Sequence, residues 1–263
     1  AFIVQVASTK QMRLALSGKG TLYAWSSNAR KIIKPVEANI TIQNVAAGWN
    51  HVLALSNTGK LLTWSTKTSS SEQPLCLLER AICIAAGPNR SMASTPENEI
   101  IVWNNPFARG ERQTFEALPS EIIQLALSDN HGLCLLLNGK CYAWGDNTYG
   151  QLGLGQPFSQ SEPICLPNMV GIAYIAAGPR HSAFVDESGA VFTVGFNYYQ
   201  ELGLGHEEIQ FLPERVHRLA AQGPIAGVYC GNKFTVAWSE PDEVHKYHFV
   251  SCPHGCSVDP ARN

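Results

Sequence analysis

The amino-acid sequence predicts an all-β fold assembled from a repeated hairpin unit, and three observations lead there. Similar short segments recur along the chain. A large apolar residue, most often tryptophan, follows each one at a fixed distance. Between the two stands a residue suited to a tight turn.

The recurring segments are Ala46-Ala47-Gly48-Trp49-Asn50-His51, Leu127-Ser128-Asp129-Asn130-His131 and Ala176-Ala177-Gly178-Pro179-Arg180-His181. Thirteen residues after the three histidines come Trp64, Trp144 and Val194. The same offset leads from Met12 to Trp25 and from Arg90 to Trp103. A sixth copy, Cys230-Gly231-Asn232-Lys233-Phe234, leads to Tyr247. The anchor positions are therefore 12, 51, 90, 131, 181 and 234, at spacings of 39, 39, 41, 50 and 53.

Eight residues after each anchor stand Gly20, Gly59, Asn98, Gly139, Gly189 and Asp242. All are types that tolerate positive φ, which tight hairpin turns require. The flanking runs, such as Val52-Leu53-Ala54-Leu55 and Leu61-Leu62-Thr63-Trp64, have strand length and composition. Each copy thus reads as a β-hairpin plus a connecting stretch.

A β-unit of about 40 to 50 residues, repeated six times, is the pattern of a β-propeller. Six blades are expected, and seven if one copy is lost or too diverged to see. Radial closure would hide the sheet edges, with the N-terminal strand completing the blade of the last copy. Residues 1–250 are expected to form a single propeller and residues 251–263 a C-terminal tail. No stretch sustains a 3.6-residue apolar period over three turns, which argues against a helical repeat.

Composition removes several function classes. Of 263 residues 45% are hydrophobic and 15% charged, enough for a substantial core. The formal net charge of −2 argues against a general electrostatic grip on nucleic acid. No apolar run approaches the roughly 18 residues of a membrane span. No secretory signal is visible, and Ala1 is not an initiator methionine. Eight cysteines are scattered, mostly in apolar segments, and read as small buried hydrophobes in a reducing, intracellular compartment. Cys252, His254 and Cys256 stand close together but have no second pair of ligands at suitable spacing, so no metal is expected there. No other cofactor is implied.

In the fourth copy, Cys141-Tyr142-Ala143-Trp144-Gly145-Asp146-Asn147-Thr148-Tyr149-Gly150-Gln151-Leu152-Gly153-Leu154-Gly155 resembles the signature of the regulator of chromosome condensation repeat family. A looser version runs from Val191-Phe192-Thr193-Val194-Gly195-Phe196-Asn197 to Glu201-Leu202-Gly203-Leu204-Gly205. The resemblance extends over residues 3 to 250 and is weaker in the first three copies. There Ser26, Ser65 and Asn104 replace the glycine after the tryptophan.

Within the repeat, the recurrence of His51, His131 and His181 reads as satisfaction of local backbone hydrogen bonds. The repeated tryptophans read as packing anchors. Gly150 to Gly155 lacks the lysine and strand-to-helix context of a phosphate loop and reads as the repeat's own turn.

No nucleophile motif, metal ligand set or dinucleotide fingerprint is present, so the chain is expected to act by binding and not as an enzyme. Strand direction puts the anchor turns and the segments after the tryptophan at one end of each sheet, and the hairpin turns at the other. The pairs before the anchors are Lys10-Gln11, Trp49-Asn50, Pro88-Asn89, Asp129-Asn130, Pro179-Arg180 and Asn232-Lys233. They all differ, as a recognition surface requires. Lys10, Trp49, Asn50, Asn89, Asp129, Asn130, Arg180, Asn232 and Lys233 are the candidate partner-binding residues. Trp49 is either an interface anchor or a ring folded down over its own blade.

The resemblance implies a partner. In the founding member this face engages the small GTPase Ran and promotes nucleotide exchange, so a Ran-like GTPase is the implied partner, in cytosol or nucleus. The chain departs from that protein in having only Asp129 acidic among these turns, with Lys10, Arg180 and Lys233 basic. It also lacks the closely packed tryptophan cluster of the related plant ultraviolet-B photoreceptor. A scaffold for a protein other than a GTPase is the alternative. Some intracellular pathogens deliver mimics of this family, and short, diverged copies would suit such an effector in host cytosol.

Overall fold

The computed structural model describes residues 2–26, 32–33, 40–66, 74–105, 107, 112–239 and 247–249. The chain divides into two compact units, residues 1–129 and 130–263.

In the first unit β1 (Ile3–Ser8), β2 (Met12–Ser17), β3 (Leu22–Ser26) and β4 (Ile32–Ile33) pair in that order. The second sheet follows the same order with β5 (Ile42–Ala47), β6 (His51–Ser56), β7 (Leu61–Ser65) and β8 (Leu75–Leu78). The third uses β9 (Ile84–Ala86), β10 (Ser91–Ser94), β11 (Ile100–Trp103) and β12 (Arg112–Phe115), and β13 (Ile122–Leu127) ends the unit.

The second unit begins with β14 (His131–Leu136), β15 (Cys141–Gly145) and β16 (Gln160–Cys165), paired in sequence order. Next comes the sheet of β17 (Ile172–Ala177), β18 (His181–Asp186), β19 (Val191–Gly195) and β20 (Gln210–Arg215). A 3-10 turn, His217–Gln222, leads to β21 (Ile225–Cys230), β22 (Thr235–Ser239) and β23 (Tyr247–Phe249). No helix among the described residues is long and apolar enough to cross a membrane.

The turn register holds at five of the six positions. Gly20, Gly59, Asn98, Gly139 and Gly189 have φ of 78°, 86°, 63°, 74° and 79°. Each donates its N–H to the carbonyl three residues earlier, as Gly59 does to Ser56 at 3.0 Å. The sixth position, Asp242, lies outside the described residues, as do Cys252, His254, Cys256 and the expected tail. The turn carbonyls also tie each copy to the next. Gly20 accepts from Ile42, Gly59 from Ala81, Gly139 from Ile172 and Gly189 from Ile225, at 2.8 to 3.1 Å.

Successive sheets pack face to face, which explains why β6 is buried along its whole length. Side chains alternate across a strand, so β6 offers Val52 and Ala54 to one neighbour and Leu53 and Leu55 to the other. Val52 and Ala54 join Leu14, Leu16 and Leu22 of the first copy. Leu53 and Leu55 join Ala93, Ile101 and Trp103 of the third. The second unit repeats the device, with Ala183, Val185 and Val191 against Ile225, Val228 and Ala237.

Two expectations are corrected here. The N-terminal strand pairs with β2 in the first sheet, Val6 opposite Ala15, and does not complete the last copy's sheet. Only a three-residue turn separates β1 from β2, and Thr9 N–H closes it onto Met12 C=O at 2.9 Å, so the local hairpin forms. The cysteines are also not uniformly buried: Cys134, Cys141 and Cys230 are, but Cys76 on β8 and Cys165 on β16 are exposed.

The anchor histidines likewise reach beyond local backbone. His51 Nε2 meets Ser91 Oγ at 3.0 Å, His131 meets Ser182 at 2.9 Å and His181 meets Thr235 Oγ1 at 2.9 Å. Each partner is the residue after the next copy's anchor. Ser182 donates its own proton to Gln151 C=O and Thr235 to Glu201 C=O, so His131 and His181 are the neutral tautomer donating from Nε2. At His51 and His181 the ring folds back over the glycine three residues earlier, a place that Ser128 takes before His131. A Cβ at Gly178 would lie 2.6 Å from His181 Cε1, and one at Gly231 only 2.3 Å from Cζ of Phe234, the ring that replaces histidine in the last copy. The Gly-x-x-His element is thus one packing unit with a bond to the next copy.

Burial holds these imidazoles neutral, lowering His51 and His181 to about 4 and His131 to about 3 from 6.5. Below pH 6.5 the unfolded chain takes up protons that the folded chain refuses. The stabilisation is therefore complete above pH 6.5 and is lost as pH falls towards 4. Three groups together give a slope of up to roughly 4 kcal/mol per pH unit across that window. Urea denaturation at pH 7, 6 and 5 should show it, and His181→Phe should flatten the slope by one proton. A stability unchanged from pH 7 to 5 would contradict the assignment.

Candidate functional site

In the first unit, backbone bonds join one anchor-turn tip to the next. Lys10 N–H donates to Trp49 C=O at 3.0 Å, and Trp49 N–H donates to Pro88 C=O at 2.8 Å. Trp49 is 43% exposed, unlike Trp103 and Trp144 at 5% and 2%, so it is not folded into a core. The Lys10 ammonium sits 3.7 Å from the centroid of its ring. Asn50 is half-buried and its carbonyl accepts from Thr66 N–H at 2.8 Å. Asn89 is exposed and its amide donates to Asp129 Oδ1 at 3.5 Å, while Arg90 Nη1 donates to Asp129 C=O at 3.4 Å. Burial lowers the pKa of the Arg90 guanidinium, and the half-buried Asp129 carboxylate opposes that.

In the second unit Asn130, Arg180, Asn232 and Lys233 are all exposed. Asn130 C=O accepts from Asp146 N–H at 2.8 Å, and Arg180 C=O from Phe196 N–H at 2.9 Å. These bonds hold the segment after β15 or β19 against its own anchor turn. The Arg180 guanidinium carbon stands 5.2 Å from the Tyr149 ring centroid and 5.5 Å from that of Phe196. Lys233 Nζ stands 3.9 Å from that of Tyr199.

Tyr149, Tyr198 and Tyr199, packed on the buried Phe196, adjoin these side chains and are absent from the residues picked out by sequence. Their signal was the direction of the strands, which places the segments after Trp144 and Val194 beside the anchor turns. Asn147 and Asn197, both fully buried, shape these segments. Asn147 Nδ2 donates to Gln156 C=O at 2.6 Å while its Oδ1 accepts from Leu152 N–H at 2.9 Å. Asn197 does the same with His206 and Leu202 at 2.8 and 3.0 Å.

One pair differs between the two loops. In the fourth copy Gln151 accepts from Tyr149 N–H at 2.9 Å and donates to Asp146 Oδ2 at 2.9 Å. In the fifth, Glu201 accepts from Tyr199 N–H at 2.8 Å. A carboxylate cannot donate to a second carboxylate, and Phe196 stands where Asp146 does. Glu201 is 1% exposed. Burial raises its pKa, and nearby Lys233 and Arg180 pull the other way.

The tips therefore offer aromatic faces, cations and amides to solvent, a composition suited to recognition. Among the described residues, no group of three or more His, Cys, Asp or Glu is placed to hold a metal ion.

Comparison with known proteins agrees with this architecture. Two models of the regulator of chromosome condensation (RCC1) repeat match, one over residues 138–185 and 188–238, the other over 42–66 and 122–151. The human probable E3 ubiquitin-protein ligase HERC4 is 35% identical over 130 residues, 48% of this chain and 12% of the ligase. The ultraviolet-B receptor UVR8 of Arabidopsis thaliana is 34% identical over 128 residues, 48% of this chain and 29% of the receptor. The mouse secretion-regulating guanine nucleotide exchange factor is 34% identical over 126 residues, 43% of this chain and 26% of that protein. The matches thus span less than a third of each relative.

Among solved structures, Prp20p from Saccharomyces cerevisiae superposes with a TM-score of 0.75 at 23% identity, covering 89% of this chain and 68% of that one. Human WBSCR16 does so with a TM-score of 0.74 at 19% identity, covering 89% and 71%. These likenesses show the fold, an all-β propeller. With its repeated Gly-x-x-His joints and the family models matching along it, the chain belongs to the regulator of chromosome condensation (RCC1) repeat family.

Proposed function

We propose that this propeller binds a partner protein through its anchor-turn tips, and that the partner is a small GTPase of the Ran kind whose nucleotide state it regulates. One observation carries the reading. Where the repeat stops dictating identity, the chain exposes Trp49 beneath Lys10, and Arg180 and Lys233 over aromatic rings. Lys10, Trp49, Asn50, Asn89 and Asp129 contribute from the first unit, and Asn130, Arg180, Asn232 and Lys233 from the second. Nucleotide exchange on a GTPase needs no nucleophile or metal from the exchange factor itself. It needs binding energy that favours the nucleotide-free partner.

Two relatives support the direction. The mouse protein is named a guanine nucleotide exchange factor, and the Prp20p structure was described together with that protein's binding to Gsp1p and histones. The basic character of the tips favours a second reading, a scaffold for a different protein. The full chain, immobilised and mixed with cell lysate loaded with GDP, loaded with GTP or stripped of nucleotide, separates the two. Retention of a small GTPase, strongest without nucleotide, is the expected result. Retention of other proteins alone, indifferent to nucleotide, would replace the GTPase reading by the scaffold.

A further inference from the structure

We propose that the second unit carries a recognition surface for an acidic segment of a partner protein, built from Arg180, Lys233, Tyr149, Phe196, Tyr198 and Tyr199. It rests on the reading of the tips as a protein-binding end, and not on the partner being a GTPase.

The rings form a connected platform. Phe196 lies 5.0 Å from Tyr149, 4.7 Å from Tyr198 and 6.1 Å from Tyr199, centroid to centroid. Tyr198 is 61% and Tyr199 41% exposed, so the platform reaches solvent. Both cations lie over it. A ring face attracts a cation and limits its motion but takes none of its N–H donors. A neighbouring carboxylate would have taken them, and the ion pairs among the described residues are elsewhere, Lys60–Glu79 and Arg80–Glu97. Arg180 and Lys233 are thus oriented with donors to offer, and the guanidinium fork matches a carboxylate.

The difference between the two loops explains why this surface arises in the fifth copy. The fourth copy keeps a carboxylate, Asp146, at the tip and a neutral glutamine behind it. In the fifth the carboxylate has moved inside as Glu201, and a ring, Phe196, takes the position of Asp146, itself buried against the exposed Tyr198 and Tyr199. The loop keeps its backbone, since Glu201 and Gln151 each accept the N–H two residues earlier. Negative charge at the tip would have repelled an acidic partner. Buried behind the platform, it steadies the two cations without competing for their outer faces. Aspartates or glutamates of the partner would meet Arg180 and Lys233, and apolar side chains between them would lie on Tyr198 and Tyr199.

Fluorescence anisotropy tests this with the full chain and a labelled peptide of about a dozen residues built from Glu-Glu-Leu triplets. Gln-Gln-Leu and Lys-Lys-Leu peptides and a short oligothymidylate serve as competitors. The acidic peptide should bind best, and more weakly as salt rises. Arg180→Ala with Lys233→Ala should weaken it about tenfold. Glu201→Gln should strengthen it roughly threefold, because the opposing charge is gone while the bond accepted from Tyr199 N–H is kept. Unchanged affinity in the double variant, equal binding of the Gln-Gln-Leu peptide, or preference for the oligonucleotide would each overturn the proposal. A GTPase captured by a chain that ignores the acidic peptide would leave the broader function standing and remove this surface from it.

Discussion

Alanine in place of Gly48 should cost about 3 kcal/mol or more and loosen the second and third copies together. A Cβ at this position would lie 2.2 Å from Cε1 and 2.6 Å from Nδ1 of His51, and 2.5 Å from the carbonyl oxygen of Gly87. None of these atoms can give way easily. The imidazole is fully enclosed and held by Ser91 at 3.0 Å, and the Gly87 carbonyl belongs to the next turn's backbone. Overpacking a fixed site costs about 1–3 kcal/mol, and displacing the ring would add the loss of a buried hydrogen bond, again about 1–3 kcal/mol. Gly18→Ala is the control, since its Cβ would meet only the side chain of Val4 at 3.4 Å and atoms of Phe2 at 3.8 Å and beyond. Urea denaturation followed by circular dichroism gives the comparison. If both variants unfold at the same urea concentration, the histidine fold-back is not a joint between copies.

Trp49→Ala should weaken partner binding by at least about 2 kcal/mol, as loss of a central interface aromatic does. Melting temperature should hardly move, because the ring is 43% exposed and the Lys10 ammonium lies over it. Lys233→Glu should act through the association rate, with an effect that fades as salt rises. Surface plasmon resonance against the captured partner, with thermal denaturation of the same samples, separates contact from stability. If Trp49→Ala unfolds the chain while the folded fraction keeps its affinity, the ring serves the core and the tips are not the binding surface.

What the sequence by itself determined is the repeat and its turns. A positive φ is a local demand that few residue types meet, so Gly20, Gly59, Asn98, Gly139 and Gly189 could be placed from register alone. The anchor turns were legible from recurrence, with Gly48 and Gly178 each three residues before a histidine, and with them the ends of each sheet where Trp49, Arg180 and Lys233 emerge. The partner of each histidine was harder to see, since it lies 40, 51 or 54 residues away. A trace was nonetheless present. Where an anchor is histidine, the residue after the next anchor is Ser91, Ser182 or Thr235, and after Met12 and Arg90 the matching residues are Val52 and Gly132.

Only the tertiary structure decided which edge the first strand takes, how deep each aromatic sits and what gathers around the tips. The N-terminal strand has composition that would suit either of two sheets, and a three-residue turn chose the nearer one. Trp49 and Trp144 are chemically identical, yet Trp144 lies against Gly132, where a Cβ would come within 2.4 Å, while Trp49 stands at an anchor turn with 43% of its surface exposed. The surface of Arg180, Lys233 and four aromatic rings joins four separate turns and loops. Pattern along a chain reports what each residue does to its own backbone. Depth and assembly depend on which distant sheet arrives alongside, and burial of apolar faces against neighbouring copies settles that only when the chain is folded.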